Sequence, residues 1–278
     1  MKIRLLAIDL DGTLLDRQSR IPEENRRAVA AAREAGLEVV LVTGRSWRST
    51  RPFYEALGLT GPAICYLGAL VLADGSGRVL HHRPLAPEAW SRLREFALAE
   101  GLSLTACVAA DLQVAEGVLP ASGLVAADLA FATGKAEDFV GWEDWNPYTE
   151  LDPTLSRCTA PPIMAAIYGD RSARRALEVF PEGLPFSQFD LSDRIAGETV
   201  LHVWHRDVDK GRALAAYCRA RGIAPEEVLA IGDAPMDLSM LRFAGIGVAV
   251  PDGHEPVRAA ADWVATPADA IGRVLRRR

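Results

Sequence analysis

The sequence lacks most features that mark secreted, membrane-spanning or nucleic-acid-binding proteins. Its 278 residues include only four cysteines, which lie far apart without zinc-binding spacing, so we expect a reducing compartment and a cytoplasmic location. No apolar stretch approaches about 18 residues and no export leader precedes the first strand, so neither membrane insertion nor export is expected. Because the formal net charge is −6, we expect nucleic acid and an anionic membrane to meet net repulsion.

Lysine is also scarce, because only Lys2, Lys135 and Lys210 occur among the 31 basic residues. Arginine suffices for surface charge, so a retained lysine indicates a need for a compact and flexible ammonium group. Lys210 is the candidate for such a role because it precedes Gly211 at the predicted start of a helix. The alternative is an ordinary surface lysine in the first turn of that helix.

What the sequence does contain is a strand-helix-strand pattern at both ends of the chain. The apolar content of 49% is enough for two globular domains, each with its own core. Continuous apolar runs such as Val39 to Val42 are typical of strands in a parallel sheet covered on both faces. The predicted terminal elements are strands 3–8, 39–42, 228–231 and 246–250 and helices 23–35, 47–57, 211–221 and 236–244.

The middle of the chain has a different pattern. Its order of elements indicates an inserted α+β domain, whereas residues 119–162 show no clear period and receive no prediction. We therefore predict an α/β protein with a doubly wound, Rossmann-like parallel-sheet core (1–83 and 205–278) and an inserted cap (84–204). The predicted cap elements are helices 88–100 and 172–180 and strands 103–108, 112–116, 163–168, 186–189 and 199–204, with residues 109–111 as a turn.

Two carboxylates, Asp9 and Asp11, follow the first apolar strand directly. Carboxylates at the mouth of a buried strand are desolvated and repel each other, and a bound divalent cation would resolve both problems. Gly12 permits a tight turn with backbone amides facing an anion, and the Thr13 hydroxyl can bond backbone groups. The cluster predicts a phosphate and metal site, although a lone Asp-x-Asp is more often an ordinary strand exit.

Polar residues follow two further strands of the predicted sheet. One strand is followed by Thr43-Gly44-Arg45, and another ends in Gly232-Asp233 with Asp237 shortly after. In an open parallel sheet the carboxyl ends of the strands border the crevice where ligands bind. We therefore expect these three groups to meet there.

This combination resembles the haloacid dehalogenase superfamily, specifically its Cof-type phosphatases of class IIB, which carry a large α/β cap between the second and third motifs. The resemblance covers nearly the whole chain. It implies a fold with an inserted cap and removal of phosphate from small phosphorylated metabolites with Mg²⁺. The matching segments are Asp9-Leu10-Asp11-Gly12-Thr13, Val42-Thr43-Gly44-Arg45, Asp209-Lys210-Gly211 and Ile231-Gly232-Asp233 with Asp237.

The resemblance also implies roles for individual residues. Asp9 would be the nucleophile that forms an aspartyl phosphate, and Asp11 would protonate the departing alkoxide. Mg²⁺ would be held by Asp9, the backbone carbonyl of Asp11 and Asp233, with Asp237 ordering its waters. The expected ligands of the phosphoryl group are Thr43, Gly44, Arg45 and Lys210, of which Lys210 also neutralises Asp9.

The chain departs from the family pattern at three positions. Leu67, Met236 and Asp252 occupy places where asparagine is usual in such sequences. Because the proposed nucleophile, acid and lysine persist, we predict retained catalysis with altered orientation or substrate choice. We interpret the five histidines as surface residues rather than metal ligands or general bases, and Asp16, Asp74, Asp207 and Asp209 as turn or capping acids.

The leading functional hypothesis is a Mg²⁺-dependent phosphatase acting on small phosphate monoesters such as sugar or polyol phosphates. One alternative is a phosphosugar mutase that protects the aspartyl phosphate from water. The other is a noncatalytic protein that binds a phosphorylated ligand. The expected partner is a small phosphorylated metabolite, without nucleic acid or membrane, and the chain is expected to be a monomer or homodimer.

Overall fold

The computed structural model describes residues 2–108, 129–133, 151–152, 161–181, 183–184, 187–195 and 198–277. The chain forms two compact units. The first unit comprises Met1–Gly44, Thr50–Leu80 and Asp209–Arg278, and the second comprises Arg45–Ser49 and His81–Val208. The domain limits drawn from the sequence stay a prediction.

Both units are built from helices and strands. The strands are β1 (Leu5–Ile8), β2 (Glu38–Val42), β3 (Ala63–Cys65), β4 (Leu70–Leu72), β5 (Val79–His82), β6 (Leu104–Val108), β7 (Leu129–Thr133), β8 (Leu151–Asp152), β9 (Met164–Tyr168), β10 (Ser187–Ile195), β11 (Glu198–His205), β12 (Val228–Gly232), β13 (Ile246–Ala249) and β14 (Trp263–Val264). The helices are α1 (Glu23–Glu34), α2 (Trp47–Ala56), α3 (Pro87–Glu100), α4 (Asp170–Val179), α5 (Lys210–Ala220), α6 (Leu238–Phe243), α7 (Glu255–Ala260) and α8 (Pro267–Leu275).

The sheet of the first unit has the strand order β14-β13-β12-β1-β2-β3-β4-β5. From β14 to β3 each adjacent pair is parallel. The central strand β1 is fully buried, which explains its uninterrupted apolar sequence. This architecture confirms the predicted α/β class. The sequence pattern did not indicate that β3 and β4 pair in antiparallel fashion.

Helices α5 and α6 contribute to the core of the first unit. Leu214 and Tyr217 of α5 and Met240 of α6 share one buried cluster with apolar residues of β1 and β2. Helix α5 begins with Lys210, and α6 follows the polar residues at the end of β12. Their packing therefore helps to fix the positions of those motifs.

The second unit has a separate six-stranded sheet of order β10-β11-β9-β6-β7-β8. Its described strand pairs are antiparallel except that β7 and β8 are parallel. Trp90 and Leu93 of α3 and Ala173 of α4 pack with alternate residues of this sheet in a second core cluster. Within the described residues, no helix combines the length and the apolarity that a membrane span requires.

Several elements differ from the sequence predictions. The helix predicted over 236–244 begins only at Leu238, because Pro235–Asp237 forms a separate tight turn. Strand β10 extends to Ile195, beyond the predicted 186–189. No prediction was made for the strands β3, β4, β5, β7, β8 and β14 or for the helices α7 and α8. The predicted strand 112–116 and turn 109–111 lie outside the described residues.

Candidate active site

Asp9 lies at the carboxyl end of β1 and is only 4% exposed. Its backbone amide donates to the carbonyl of Ile231 at 3.0 Å, which ties the strand end to neighbouring β12. The chain then reverses in a turn over Leu10–Leu14, where Gly12 has a φ of +76°. Glycine adopts this left-handed conformation without the steric cost that a side chain imposes. The turn leaves the Asp9 carboxylate at the edge of the sheet.

Asp233 and Asp237 follow β12 at the same edge. The Oδ2 atom of Asp237 accepts hydrogen bonds from the backbone amides of Asp233 and Ala234, each at 3.0 Å. A Cβ at Gly232 would lie 2.5 Å from the Cβ of Asp237, so only glycine permits this approach. Asp237 is thus a fully buried anchor for the loop that carries Asp233.

Lys210 is the first residue of α5 and is nearly inaccessible to solvent. Its Nζ atom donates to Oδ1 of Asp9 and to Oδ1 of Asp237, both at 2.6 Å. The helix begins here because the Asp209 side chain caps it by accepting from the Arg212 amide at 2.7 Å. The predicted capping role of Asp209 is therefore confirmed, and Lys210 bridges two carboxylates from different strand ends.

Helix α5 can bring Lys210 to this place because it packs closely on the segment that begins α6. The Gly211 amide donates to Oγ of Ser239 at 2.9 Å. A Cβ at Gly211 would overlap the Ser239 backbone. The glycine beside Lys210 therefore serves helix packing and thereby the position of the ammonium.

The turn after β1 also contacts Asp233. The Thr13 hydroxyl donates to Oδ1 of Asp233 at 3.0 Å, whereas the sequence analysis expected it to bond backbone groups. A Cβ at Gly12 would overlap the Asp233 carboxylate. Residues 12 and 13 therefore enclose this carboxylate on one side and give it one hydrogen-bond donor.

The carboxylates are held where their negative charges are unfavourable. Burial raises the pKa of Asp9 well above its ordinary value, Lys210 opposes this, and the charges of Asp237, Asp233 and Asp11 raise it further. Burial and then the Asp237 charge raise the pKa of Asp233 to about 6, although Thr13 and Lys210 oppose the rise. The local charge favours a cation.

Lys210 responds to the same surroundings in the opposite sense. Burial by itself disfavours its ammonium form, but the carboxylates of Asp237 and Asp9 outweigh this effect. Its pKa is consequently held above the ordinary value for lysine. Lys210 therefore carries a full positive charge at neutral pH.

Three side chains in this cluster fit a metal ion. Asp9, Asp233 and Asp237 each offer a carboxylate oxygen, and these three oxygens lie within 4.8 Å of one another. An all-oxygen, anionic set of donors suits a hard divalent cation such as Mg²⁺. A single ammonium, Lys210, does not balance three carboxylates, so the raised pKa values of Asp9 and Asp233 agree with a site that a cation would complete.

The remaining residues predicted for the site are Asp11, Thr43, Gly44 and Arg45. The Asp11 side chain is exposed, and its charge acts on Asp9. Thr43 is fully buried after β2, where its amide donates to the Ile64 carbonyl at 2.9 Å. Gly44 follows it in the first unit, whereas Arg45 is 3% exposed and belongs to the second unit. The described contacts therefore unite Asp9, Lys210, Asp233 and Asp237.

Sequence reasoning missed two contacts to the Asp233 residue. One is the Thr13 hydroxyl, and the other is the His254 backbone amide, which donates to the Asp233 carbonyl at 2.8 Å. The position of Thr13 beside Asp11-Gly12 could have indicated its contact with the site, whereas nothing in the sequence indicates the backbone contact of His254. Two predicted turn acids are confirmed, because Asp16 and Asp74 each accept hydrogen bonds from nearby backbone amides.

A buried lysine that bridges strand-end aspartates beside a cluster of carboxylates is suited to a site for a divalent cation and a phosphoryl group. The family described as haloacid dehalogenase-like hydrolase matches residues 6–135 and 185–275. The chain therefore belongs to the haloacid dehalogenase-like hydrolase family. The match covers well over half of the chain, and it agrees with the resemblance drawn from the motifs.

Individual relatives support the same assignment. Pyridoxal phosphate phosphatase YbhA of Escherichia coli is 30% identical, over 95% of this chain and 93% of the relative. A phosphoglycolate phosphatase of Methanoculleus marisnigri is 28% identical, over 94% of this chain and 90% of the relative. The crystal structure of a haloacid dehalogenase-like hydrolase from Bacteroides thetaiotaomicron superposes with a TM-score of 0.80 at 25% identity, covering 98% of this chain and 100% of that one. The predicted Cof-type phosphatase, a phosphoric monoester hydrolase, is confirmed.

Proposed function

We propose that this chain is a Mg²⁺-dependent phosphatase that hydrolyses small phosphate monoesters through an aspartyl phosphate on Asp9. The observation that carries the proposal is the contact of Lys210 with both Asp9 and Asp237, each at 2.6 Å, inside a cluster of three carboxylates. This arrangement presents one carboxylate as a nucleophile and supplies positive charge beside it. The substrate class we infer is a sugar or polyol phosphate.

In the first step an Asp9 oxygen attacks phosphorus. The bond from phosphorus to the ester oxygen breaks, and Asp11 gives its proton to the departing alkoxide. Asp11 suits this role because its exposed side chain follows the nucleophile by two residues and its charge acts on Asp9. The product of this step is a phosphorylated Asp9 and a free alcohol.

In the second step a water molecule attacks the phosphorus of the aspartyl phosphate. Asp11 accepts a proton from this water, the bond from phosphorus to Asp9 breaks, and inorganic phosphate leaves with the carboxylate restored. Lys210 stabilises the negative charge that accumulates in both steps because its hydrogen bonds to Asp9 and Asp237 hold the ammonium in place before the reaction begins. We assign the binding of phosphoryl oxygens to Thr43, Gly44 and Arg45.

Asp9, Asp233, Asp237 and the Asp11 backbone carbonyl are the groups we propose for holding Mg²⁺. When bound, the ion would neutralise these carboxylates and polarise the phosphoryl group. Asp237 anchors the arrangement, since its oxygens already accept from Lys210 and two backbone amides. We also propose that residues 84–204 form a cap that sets substrate specificity. The buried thiols of Cys65, Cys107 and Cys218 support the further proposal that the protein is cytoplasmic.

A panel of phosphate esters tests this function directly. Because the relatives include phosphatases named for pyridoxal phosphate and phosphoglycolate, the panel contains both compounds beside sugar and polyol phosphates. We expect phosphate release that requires Mg²⁺, stops with a chelator and is lost in Asp9→Asn. Retained turnover in Asp9→Asn would reject the nucleophile, and turnover without any divalent cation would reject the metal assignment.

A further inference from the structure

The loop after β3 has an unusual backbone. Tyr66, Leu67 and Gly68 have consecutive φ values of +48°, +58° and +106°. Left-handed conformations are unfavourable for residues with a side chain, and a buried leucine in one persists only where its surroundings hold it there. Leu67 is 5% exposed, so the surroundings that fix this loop can be identified from its contacts.

One side of the loop holds the segment that follows β2. The Leu67 amide donates to the Thr43 carbonyl at 3.0 Å. The Leu67 side chain lies against Gly44, the residue after Thr43. A Cβ at Gly44 would be 3.3 Å from Cδ2 of Leu67. Backbone and side chain of one residue therefore hold Thr43 and Gly44 together.

The other side of the loop meets the start of helix α5. A Cβ at Gly68 would lie 2.7 Å from the Asp209 carbonyl oxygen and 2.9 Å from the Cβ of Ala213. Asp209 caps the helix whose first residue is Lys210. The loop thus lies against both the Thr43-Gly44 segment and the helix start that delivers the catalytic ammonium.

We infer that Leu67 is a positioning residue for phosphoryl binding, which sets the place of Thr43-Gly44 relative to Lys210 through its contact with Gly44. This inference rests on the proposed function, because it assigns Thr43 and Gly44 to the phosphoryl group. The role requires the bulk of the side chain at this point. A small displacement of groups that bind a reacting phosphoryl costs rate, which makes such a role measurable.

The test is a double-mutant cycle between the two contacting positions. Leu67→Ala removes the side chain from Gly44, and Gly44→Ala forces a methyl group against it, so each variant should weaken inhibition by orthovanadate, a phosphoryl mimic, about tenfold. In the double variant the new methyl occupies the space that Leu67 vacated, so inhibition should be closer to wild type than in either single variant. Leu67→Met, which keeps an apolar side chain of similar volume, should stay within about twofold of wild type.

The kinetic pattern separates positioning from general stability. In the single variants we expect kcat/KM for p-nitrophenyl phosphate to fall in parallel with the affinity for orthovanadate. The thermal midpoints of the same variants should not correlate with these losses. Orthovanadate inhibition that is unchanged in both single variants, or strictly additive losses in the double variant, would overturn the inference. If Leu67→Ala does not fold, Gly44→Ala is compared with Gly44→Ala/Leu67→Met. The more flexible methionine should move away from the new methyl at residue 44, so the double variant should recover part of the lost orthovanadate inhibition. Failure of the proposed function would instead appear as a wild-type enzyme without phosphatase activity.

Discussion

The Lys210 ammonium donates a 2.6 Å hydrogen bond to Oδ1 of Asp9, although 201 residues separate them in the chain. The same atom bonds Oδ1 of Asp237 at an equal distance. Both contacts are buried, so water does not compete for them. Lys210 therefore sets the charge and the position of the proposed nucleophile together.

Replacement of Lys210 should remove both effects. We expect Lys210→Met to lower kcat by about 10²-fold to 10³-fold. Because Asp9 and Asp237 would lose their buried counterion, the free energy of unfolding should also fall, by about 3 kcal/mol. Steady-state kinetics and urea denaturation measure the two effects. Lys2→Met, at an exposed lysine, is the matched control and should change neither.

Lys210→Arg would show whether charge alone is sufficient. A planar guanidinium cannot occupy the compact space between Asp9 and Asp237 with two short hydrogen bonds. We predict that this variant keeps the positive charge yet remains strongly impaired in kcat. Activity close to wild type would show that the geometry of the ammonium has no part in catalysis.

Asp233→Asn tests the electrostatic account of the carboxylate cluster. Folding raises the pKa of Asp233 from 3.8 to about 6, so the folded state binds the additional proton between these values. The metal-free protein should therefore lose stability as pH rises from about 4 to about 6, and ionised Asp233 should cost stability above that range. Asparagine removes this cost while its oxygen can still accept from Thr13.

The expected result is a higher thermal midpoint for Asp233→Asn than for wild type at pH 7 in the presence of a chelator. Addition of Mg²⁺ should raise the midpoint of wild type and leave that of the variant nearly unchanged. Differential scanning fluorimetry over a pH series measures both. A Mg²⁺ response of equal size in both proteins would remove Asp233 from the metal site.

Gly12→Ala separates a backbone requirement from a spatial one. Gly12 and Gly36 both have left-handed φ values, of +76° and +78°, but only at Gly12 would a Cβ overlap a carboxylate, that of Asp233. Each alanine should cost about 1 kcal/mol of stability through the backbone. Only Gly12→Ala should also abolish Mg²⁺-dependent turnover, measured as phosphate release at saturating Mg²⁺. Equal activity of the two variants would count against the close approach at residue 12.

Asp11→Asn should reveal the general acid through the leaving group. Loss of proton donation costs about 10²-fold to 10⁴-fold for an alkyl phosphate, whose alkoxide leaves poorly without a proton. An aryl phosphate such as p-nitrophenyl phosphate leaves as a stable anion, so its first step should be much less affected. Single-turnover kinetics with both substrates would measure the difference, and an identical loss for both would assign proton transfer to another group.

The strand-end residues could be predicted to meet because sheet topology alone brings them to one edge. Asp9, Asp233 and Asp237 follow β1 and β12, which are adjacent and parallel. Lys210 could be singled out by the scarcity of lysine and by the motif that opens α5. The structure places these four side chains together, while their catalytic roles stay predictions.

Other features could not be read from the sequence because they depend on packing between distant segments. The contact of Thr13 with Asp233 requires the orientation of a turn, and short local patterns do not specify it. The antiparallel strand β4 has the same apolar composition as a parallel strand, so its direction leaves no compositional signal. The left-handed Leu67 was visible only as a departure from a family motif, since φ angles are not encoded in hydrophobic periodicity.

The central claim is that Asp9 attacks phosphorus, and trapping the phosphorylated enzyme tests it most directly. After an acid quench during turnover, reduction with borohydride would convert an aspartyl phosphate to homoserine. Peptide mass spectrometry would then locate the modified residue. The account predicts homoserine at position 9 in wild type and none in Asp9→Asn. Homoserine at another aspartate, or full turnover by Asp9→Asn without any trapped species, would contradict it.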